Sequence, residues 1–135
     1  MADTGKLTLT VVTPERSVVT DVECQEVTLP GLKGELGILP GHTPLVTLLG
    51  IGVVSWKSGG TKESVAVREG FAEVANDAVR VLADRAEPRE AVDVNTAQTD
   101  KADAEKRRLE VVGEEQLDAV NADAAYAEAR LKVAS

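Results

Sequence analysis

His42 is the only histidine of the chain, and Glu35 stands seven residues before it in GELGILPGHTPLVTLLGIG, residues 34 to 52. An imidazole beside a carboxylate is the commonest general acid/base pairing, so this is the first place to look for catalysis. No nucleophile or oxyanion hole accompanies the pair, and a catalytic role is set aside. A single histidine also excludes, within one chain, any metal site built on two or more imidazoles. The glycines do not spell a phosphate loop either: GELGILPG lacks the Lys-Ser or Lys-Thr ending of a P-loop and the GxGxxG spacing of a dinucleotide site. Cys24 lies between Glu23 and Glu26, whose charge disfavours a thiolate, which leaves it as a small strand residue. The basic run Lys106, Arg107, Arg108 is read either as a solvated helix face or as a surface for an anionic partner. No catalytic, cofactor-binding or metal-ligating residue is expected.

Bulk properties bound what must position these residues. A chain of 135 residues suits one ordinary domain, or a small domain with an appendage, and an apolar fraction of 43% can build a core. Only Trp56, Phe71 and Tyr126 are aromatic, so the core must come from Val, Leu, Ile and Ala, and base-stacking platforms are missing. With a formal charge of −8 the chain repels a phosphate backbone, which excludes nucleic acid as the expected partner. One cysteine makes no internal disulfide, which fits a reducing compartment. The opening MADTGKLTLTVVTPE has neither a basic leader with an apolar run nor an amphipathic presequence. No window approaches the ~20 consecutive apolar residues of a membrane span, so membrane association is expected only through a partner.

Composition changes at Pro88. Ten of the 11 glycines and four of the five prolines precede it, whereas 11 alanines lie between 88 and 135. The boundary expected is 1–87 for one part and 88–135 for the other. The first part reads as an antiparallel β-sandwich or barrel. KLTLTVV alternates apolar Leu7, Leu9 and Val11 with threonines, SVAVR puts Val65 and Val67 on one face, and Ser58-Gly59-Gly60 and Asn76-Asp77 are hairpin turns by residue type. The second part reads as a two-helix antiparallel hairpin. Pro88 is expected in the first turn of one helix, with Glu87 and Glu90 near its positive end and Gly113 as its stop. The other helix presents Leu117, Val120, Ala124, Ala127, Leu131 and Ala134, spaced as in a coiled-coil seam. That seam is mostly alanine and buries little, while KADAEKRR interrupts any stripe on the first helix between Ala97 and Leu109. A hairpin held so lightly either detaches or docks on the sandwich. On the residues alone, the chain is a non-enzymatic binding module whose working surface includes the stretch from 34 to 52.

That stretch resembles the signature of the epsilon subunit of bacterial F-type ATP synthases, the counterpart of the mitochondrial delta subunit. LTLTVVTPER (7 to 16), VREGFAEV (67 to 74), VRVLADRAE (79 to 87) and RLKVA (130 to 134) extend the resemblance over essentially the whole chain. It implies a ten-stranded sandwich followed by a helical hairpin, in a non-catalytic subunit of the central stalk that couples proton flow to ATP synthesis. The implied partners are the gamma subunit, the polar loops of the c-ring and, transiently, the alpha/beta catalytic head. The implied place is the cytoplasmic face of the bacterial cell membrane, reached only through the complex. In these terms the glycines and prolines shape a tight projecting loop. Glu35 faces the c-ring, the segment around His42 faces gamma, and Leu36, Ile38 and Leu39 fill the sandwich edge or the contact. The resemblance also implies a hairpin able to swing up and stall ATP hydrolysis through basic residues, for which this chain offers Arg107, Arg108 and Arg130. The family's Ile/Leu-Asp-x-x-Arg-Ala motif for ATP is matched by VDVNTA, 92 to 97, with Thr96 in place of arginine. Tyr126 stands where a further arginine is expected, so no useful ATP binding is implied. The alternative is a stand-alone β-sandwich module that binds another protein.

Overall fold

The computed structural model describes residues 5–135, so the first four residues of the segment read as leaderless lie outside the described residues. Seven strands form one sheet among these residues: β1 Leu7–Val12, β2 Ser17–Cys24, β3 Glu26–Gly31, β4 Gly34–Ile38, β5 Leu45–Ser58, β6 Thr61–Ala75 and β7 Ala78–Pro88. Their order is β2-β1-β7-β6-β5-β3-β4. All neighbours are antiparallel except β1 and β7, which run parallel. No hairpin joins that pair, so turn geometry does not set its direction.

The three long central strands each turn through both layers. In β6 the residues facing the core are Val65 and Val67, then Ala72 and Val74, so the alternation changes phase between them. The same change separates Leu49 from Val54 in β5 and Ala83 from Ala86 in β7. Side chains alternate with period two, so a phase change requires an irregularity in the backbone. It is present at Glu69 (φ 57°) and Gly70 (φ 130°) of β6. The register carries the bend straight across: Leu49 pairs with Gly70, and Gly70 with Ala83. The described residues thus form seven strands where the resemblance implies ten, because β5, β6 and β7 each run on through the bend and serve both layers.

Both predicted hairpin turns form. Gly59 and Gly60 have φ of 57° and 85°, and Asn76 and Asp77 have 52° and 59°, the left-handed pair that a two-residue turn needs to match strand twist. Between β1 and β2, the Thr13 hydroxyl accepts from the backbone N–H groups of Glu15 and Arg16 and closes the TPER turn. Inside the folded sheet, Leu7, Leu9, Val11, Val27, Leu29, Ile38, Val54, Val65, Val67, Val79 and Val81 are fully buried around Trp56.

The helical part begins later than Pro88. β7 runs through Pro88, a single 3-10 turn covers Arg89–Ala91, and α1 is Val94–Arg108. Asp93 is the N-cap, its carboxylate accepting from the Thr96 N–H at 3.1 Å. The capping carboxylate, rather than the proline, starts this helix. α1 also ends before Gly113, which instead caps the start of α2, Glu114–Ala134, at φ 88°. Ala104, within KADAEKRR, continues the stripe begun by Ala97, and both are fully buried. The interruption expected there is bridged because small alanines let the helices approach closely. Val120 and Ala124 of the seam meet Ala104 inside the hairpin.

The hairpin docks on the sandwich. Tyr126, Ala129 and Val133 of α2 pack on Ala66, Ile51 and Val53, on the outer side of one half of the sheet. α2 thus carries two apolar stripes, one toward α1 and one toward the sheet, of which the heptad spacing describes only the first.

Candidate interaction site

The glycine-rich stretch is a strand, a turn and a second strand rather than a projecting loop. β4 forms the outer edge of the sheet, paired only with β3, from Gly31 opposite Gly34 to Val27 opposite Ile38. The glycines allow the close approach: a Cβ on Gly31 would come within 2.7 Å of the Gly34 carbonyl oxygen, and one on Gly52 within 2.9 Å of the Pro30 Cβ. Ile38 is fully buried in the core and Leu36 packs half-buried against it, whereas Leu39 is 56% exposed. The turn after β4 is pinned at two points. The His42 N–H donates to the Leu39 carbonyl at 3.1 Å, and the Gly41 N–H donates to Asp77 Oδ1, in the β6–β7 turn, at 2.7 Å. The His42 ring is half-buried with Nδ1 2.6 Å from the Thr43 carbonyl oxygen, while Glu35 is exposed and lines a groove beside the last turns of α2. The two residues considered as an acid/base pair therefore have separate surroundings.

Next to the turn lies a surface that sequence alternation did not reveal. Where α2 leaves the sheet uncovered, Leu48 of β5 is paired with Phe71 of β6, and Phe71 with Leu82 of β7. These side chains are exposed by 62%, 40% and 41%, and Val46 extends the row. Leu32 is also exposed, its N–H donating to the Leu48 carbonyl. A contiguous apolar strip on an otherwise charged chain marks a contact surface. The run LVTLL held the only signal, a strand apolar on both faces.

A second site is the polar cleft of about 680 Å³ between the hairpin and the sandwich. Asp123 of α2 accepts from Arg68 of β6 and from Arg107 of α1, each at 2.9 Å. Arg130 of α2 donates from Nη1 to Asp100 of α1 at 2.9 Å, and its Nε lies 3.1 Å from Glu87 of β7. That second contact is an ion pair without hydrogen-bond alignment, so the buried Nε has no acceptor. The Tyr126 hydroxyl donates to Glu87 at 2.8 Å, and the guanidiniums of Arg85 and Arg130 lie 5.3 and 5.4 Å from its ring centre. Burial pushes the Asp123 carboxyl up, but the hydrogen bonds and charges of Arg107 and Arg68 outweigh it and hold the carboxyl below its ordinary range. Burial, and then the bond to Glu87, push the Tyr126 hydroxyl well above its ordinary value. Burial alone raises the Cys24 thiol, which suits an inert strand residue.

The cations proposed for a partner are thus engaged internally. Arg107 pairs with Asp103 and Asp123, Arg108 donates to Asn121 at 3.1 Å, and Arg130 is only 7% exposed. In the VDVNTA stretch Asp93 caps α1 and Thr96 lines the cleft. No group of His, Cys, Asp and Glu able to hold a metal occurs among the described residues. Nor, among them, is any helix long and apolar enough to cross a membrane.

Residues 6–89 match the family described as ATP synthase, Delta/Epsilon chain, beta-sandwich domain. The chain is 47% identical over 103 residues to the ATP synthase epsilon chain of Desulfitobacterium hafniense, covering 76% of this chain and 77% of that one. It is 39% identical over 129 residues to that of Bdellovibrio bacteriovorus, covering 93% and 92%. Among solved structures, a chain of the Euglena gracilis mitochondrial ATP synthase (OSCP/F1/c-ring) matches with a TM-score of 0.80 at 21% identity, covering 95% of this chain and 81% of that one. A chain of the Tetrahymena thermophila mitochondrial ATP synthase central stalk/c-ring matches with a TM-score of 0.65 at 12% identity, covering 99% and 100%. At these identities the structural likeness speaks for the fold.

Proposed function

Because the chain belongs to the ATP synthase delta/epsilon chain family, we propose that it is a non-catalytic subunit of the central stalk, joining gamma to the c-ring and coupling proton translocation to ATP synthesis. The observation that carries this is the exposed row Leu48–Phe71–Leu82 beside the pinned turn of His42. Such a strip costs solubility unless a partner covers it, and gamma is the partner assigned to it. Glu35, exposed on the edge strand β4, is assigned to the polar loops of the c-ring, and Leu36 and Leu39 flank the same edge. Ile38 supports that edge from the core. The subunit sits at the cytoplasmic face of the cell membrane and meets the lipid only through the complex.

The hairpin of α1 and α2, which follows β7 and the 3-10 turn, is the regulatory part. Raised beside gamma, it would bring Arg107, Arg108 and Arg130 to acidic segments of the catalytic head and slow ATP hydrolysis. With only Arg130 and Lys132 as cations on α2, this brake is weak. The test is reconstitution. The chain, and separately a version ending at Glu87, are added to a catalytic head prepared without its own epsilon subunit, and binding and ATP hydrolysis are followed together. Both versions are expected to bind, and only the full chain to slow hydrolysis. Failure of both to bind, with the chain staying soluble and alone after cell fractionation, overturns the assignment in favour of a stand-alone module.

A further inference from the structure

Two hairpins of the sheet close with the same kind of two-residue turn and fill it differently. Between β5 and β6 the left-handed pair is Gly59-Gly60, whereas between β6 and β7 it is Asn76-Asp77, with Asp77 at φ 59°. Such turns favour glycine at the second position, and aspartate takes the left-handed conformation only at a cost in backbone strain. An aspartate held where glycine suits the turn points to a task for its carboxylate. That task lies outside the turn: Oδ1 accepts from the Gly41 N–H at 2.7 Å, 36 residues away in the chain.

Leu45, the first residue of β5, pairs with Val74, so the segment before β5 runs past the tip of the β6–β7 hairpin. Two hydrogen bonds stay within that segment, from the His42 N–H to the Leu39 carbonyl and between His42 Nδ1 and the Thr43 carbonyl. They set the shape of residues 39–44 but not their place on the sheet. Among the described residues, the hydrogen bond that leaves the segment is the one from Gly41 to Asp77. Asp77 is itself fixed, because its backbone carbonyl accepts from the Thr8 N–H of β1 at 2.9 Å.

We propose that Asp77 is a positioning residue for the gamma contact, holding residues 39–44 against the sheet so that exposed Leu39 and half-buried His42 stand ready beside the row Leu48–Phe71–Leu82. This rests on the reading of that surface as the gamma contact. Pro40 and Pro44 already narrow the conformers of the segment, and the carboxylate selects one of them before gamma arrives. Association is then spared the cost of ordering the turn.

The test uses full-length variants, nuclear magnetic resonance of the chain alone, and binding to the gamma-containing catalytic head prepared without its own epsilon subunit. Asp77→Gly removes the carboxylate and relieves the left-handed strain, so the unfolding midpoint should move little. Affinity should nevertheless fall about tenfold, the scale of one hydrogen bond to a charged group. In that variant the Gly41 amide proton should move upfield, while the Thr8 amide, bonded to a backbone carbonyl, keeps its slow exchange. Asp77→Asn keeps an oxygen acceptor and tolerates the turn, and should restore most of the affinity. Asp77→Gly binding within twofold of the native chain overturns the proposal, as does an unmoved Gly41 resonance or an Asp77→Asn chain that binds no better than Asp77→Gly. A native chain that fails to bind overturns the stalk reading itself, and this proposal with it.

Discussion

Gly70 of β6 stands where a Cβ would come within 2.0 Å of the Leu82 carbonyl oxygen and 2.8 Å of the Ala83 Cα. Its φ of 130° is open only to glycine, and it sits on the line where β5, β6 and β7 change phase together. Gly70→Ala is therefore expected to cost about 3 kcal/mol or more, from backbone strain and a clash that no side-chain rotation relieves. Gly37→Ala, with nothing within 4 Å of the new methyl, is the control and should stay within ~0.5 kcal/mol. Thermal or denaturant unfolding of the two variants checks both values.

Acid should loosen the hairpin before the sandwich. The Asp123 carboxyl is held below its ordinary value of 3.8, so its contribution is present above that value and is lost as the pH falls through the lowered one. Hairpin protection against amide hydrogen exchange, taken relative to the intrinsic exchange rate at each pH, should fall below about pH 4, and that part of the pH dependence should vanish in Asp123→Asn. Tyr126 has the opposite sign. Its hydroxyl is raised above 10.0, so its bond to Glu87 holds below pH 10.0 and is lost only as the pH rises through the raised value.

The exposed row predicts a separation of stability from assembly. Leu48→Asp and Phe71→Asp place charge on outward-facing side chains, so unfolding midpoints should shift little. Affinity for the catalytic head lacking its own epsilon subunit should fall more than tenfold, as for residues at the centre of a protein interface. Unchanged affinity would remove this row from the contact.

The cleft should not bind ATP usefully. Thr96 offers one neutral hydroxyl where an arginine fork would grip phosphate, Tyr126 is bonded to Glu87, and Arg130 is paired with Asp100 and Glu87. Calorimetry on the isolated chain is expected to give no heat of binding at micromolar ATP, and clear saturation there would refute it.

A chain ending at Glu87 should still unfold cooperatively. The sandwich core, from Leu7 to Ala86, draws no residue from the helices, whereas Ala66 belongs to the small cluster under α2. The truncation should lower the midpoint modestly through exposure of Ile51, Val53 and Ala66, as read by circular dichroism.

What the sequence determined by itself is local. Alternating Leu7, Leu9 and Val11, the Ser58-Gly59-Gly60 and Asn76-Asp77 turns, and the Val120–Ala124 seam each follow from period, handedness or small size among near neighbours. Tertiary structure decided the rest, because the causes lie far away in the chain. Gly70 looks like any strand glycine until Leu82 is beside it. β1 runs parallel to β7 only because the sheet brings them together. Val94 rather than Pro88 begins α1 because β7 still needs residues as far as Pro88 for its pairing with Val65. Arg130 reads as a free cation on a helix, and becomes a buried node only when Glu87 and Asp100, from two other elements, close around it.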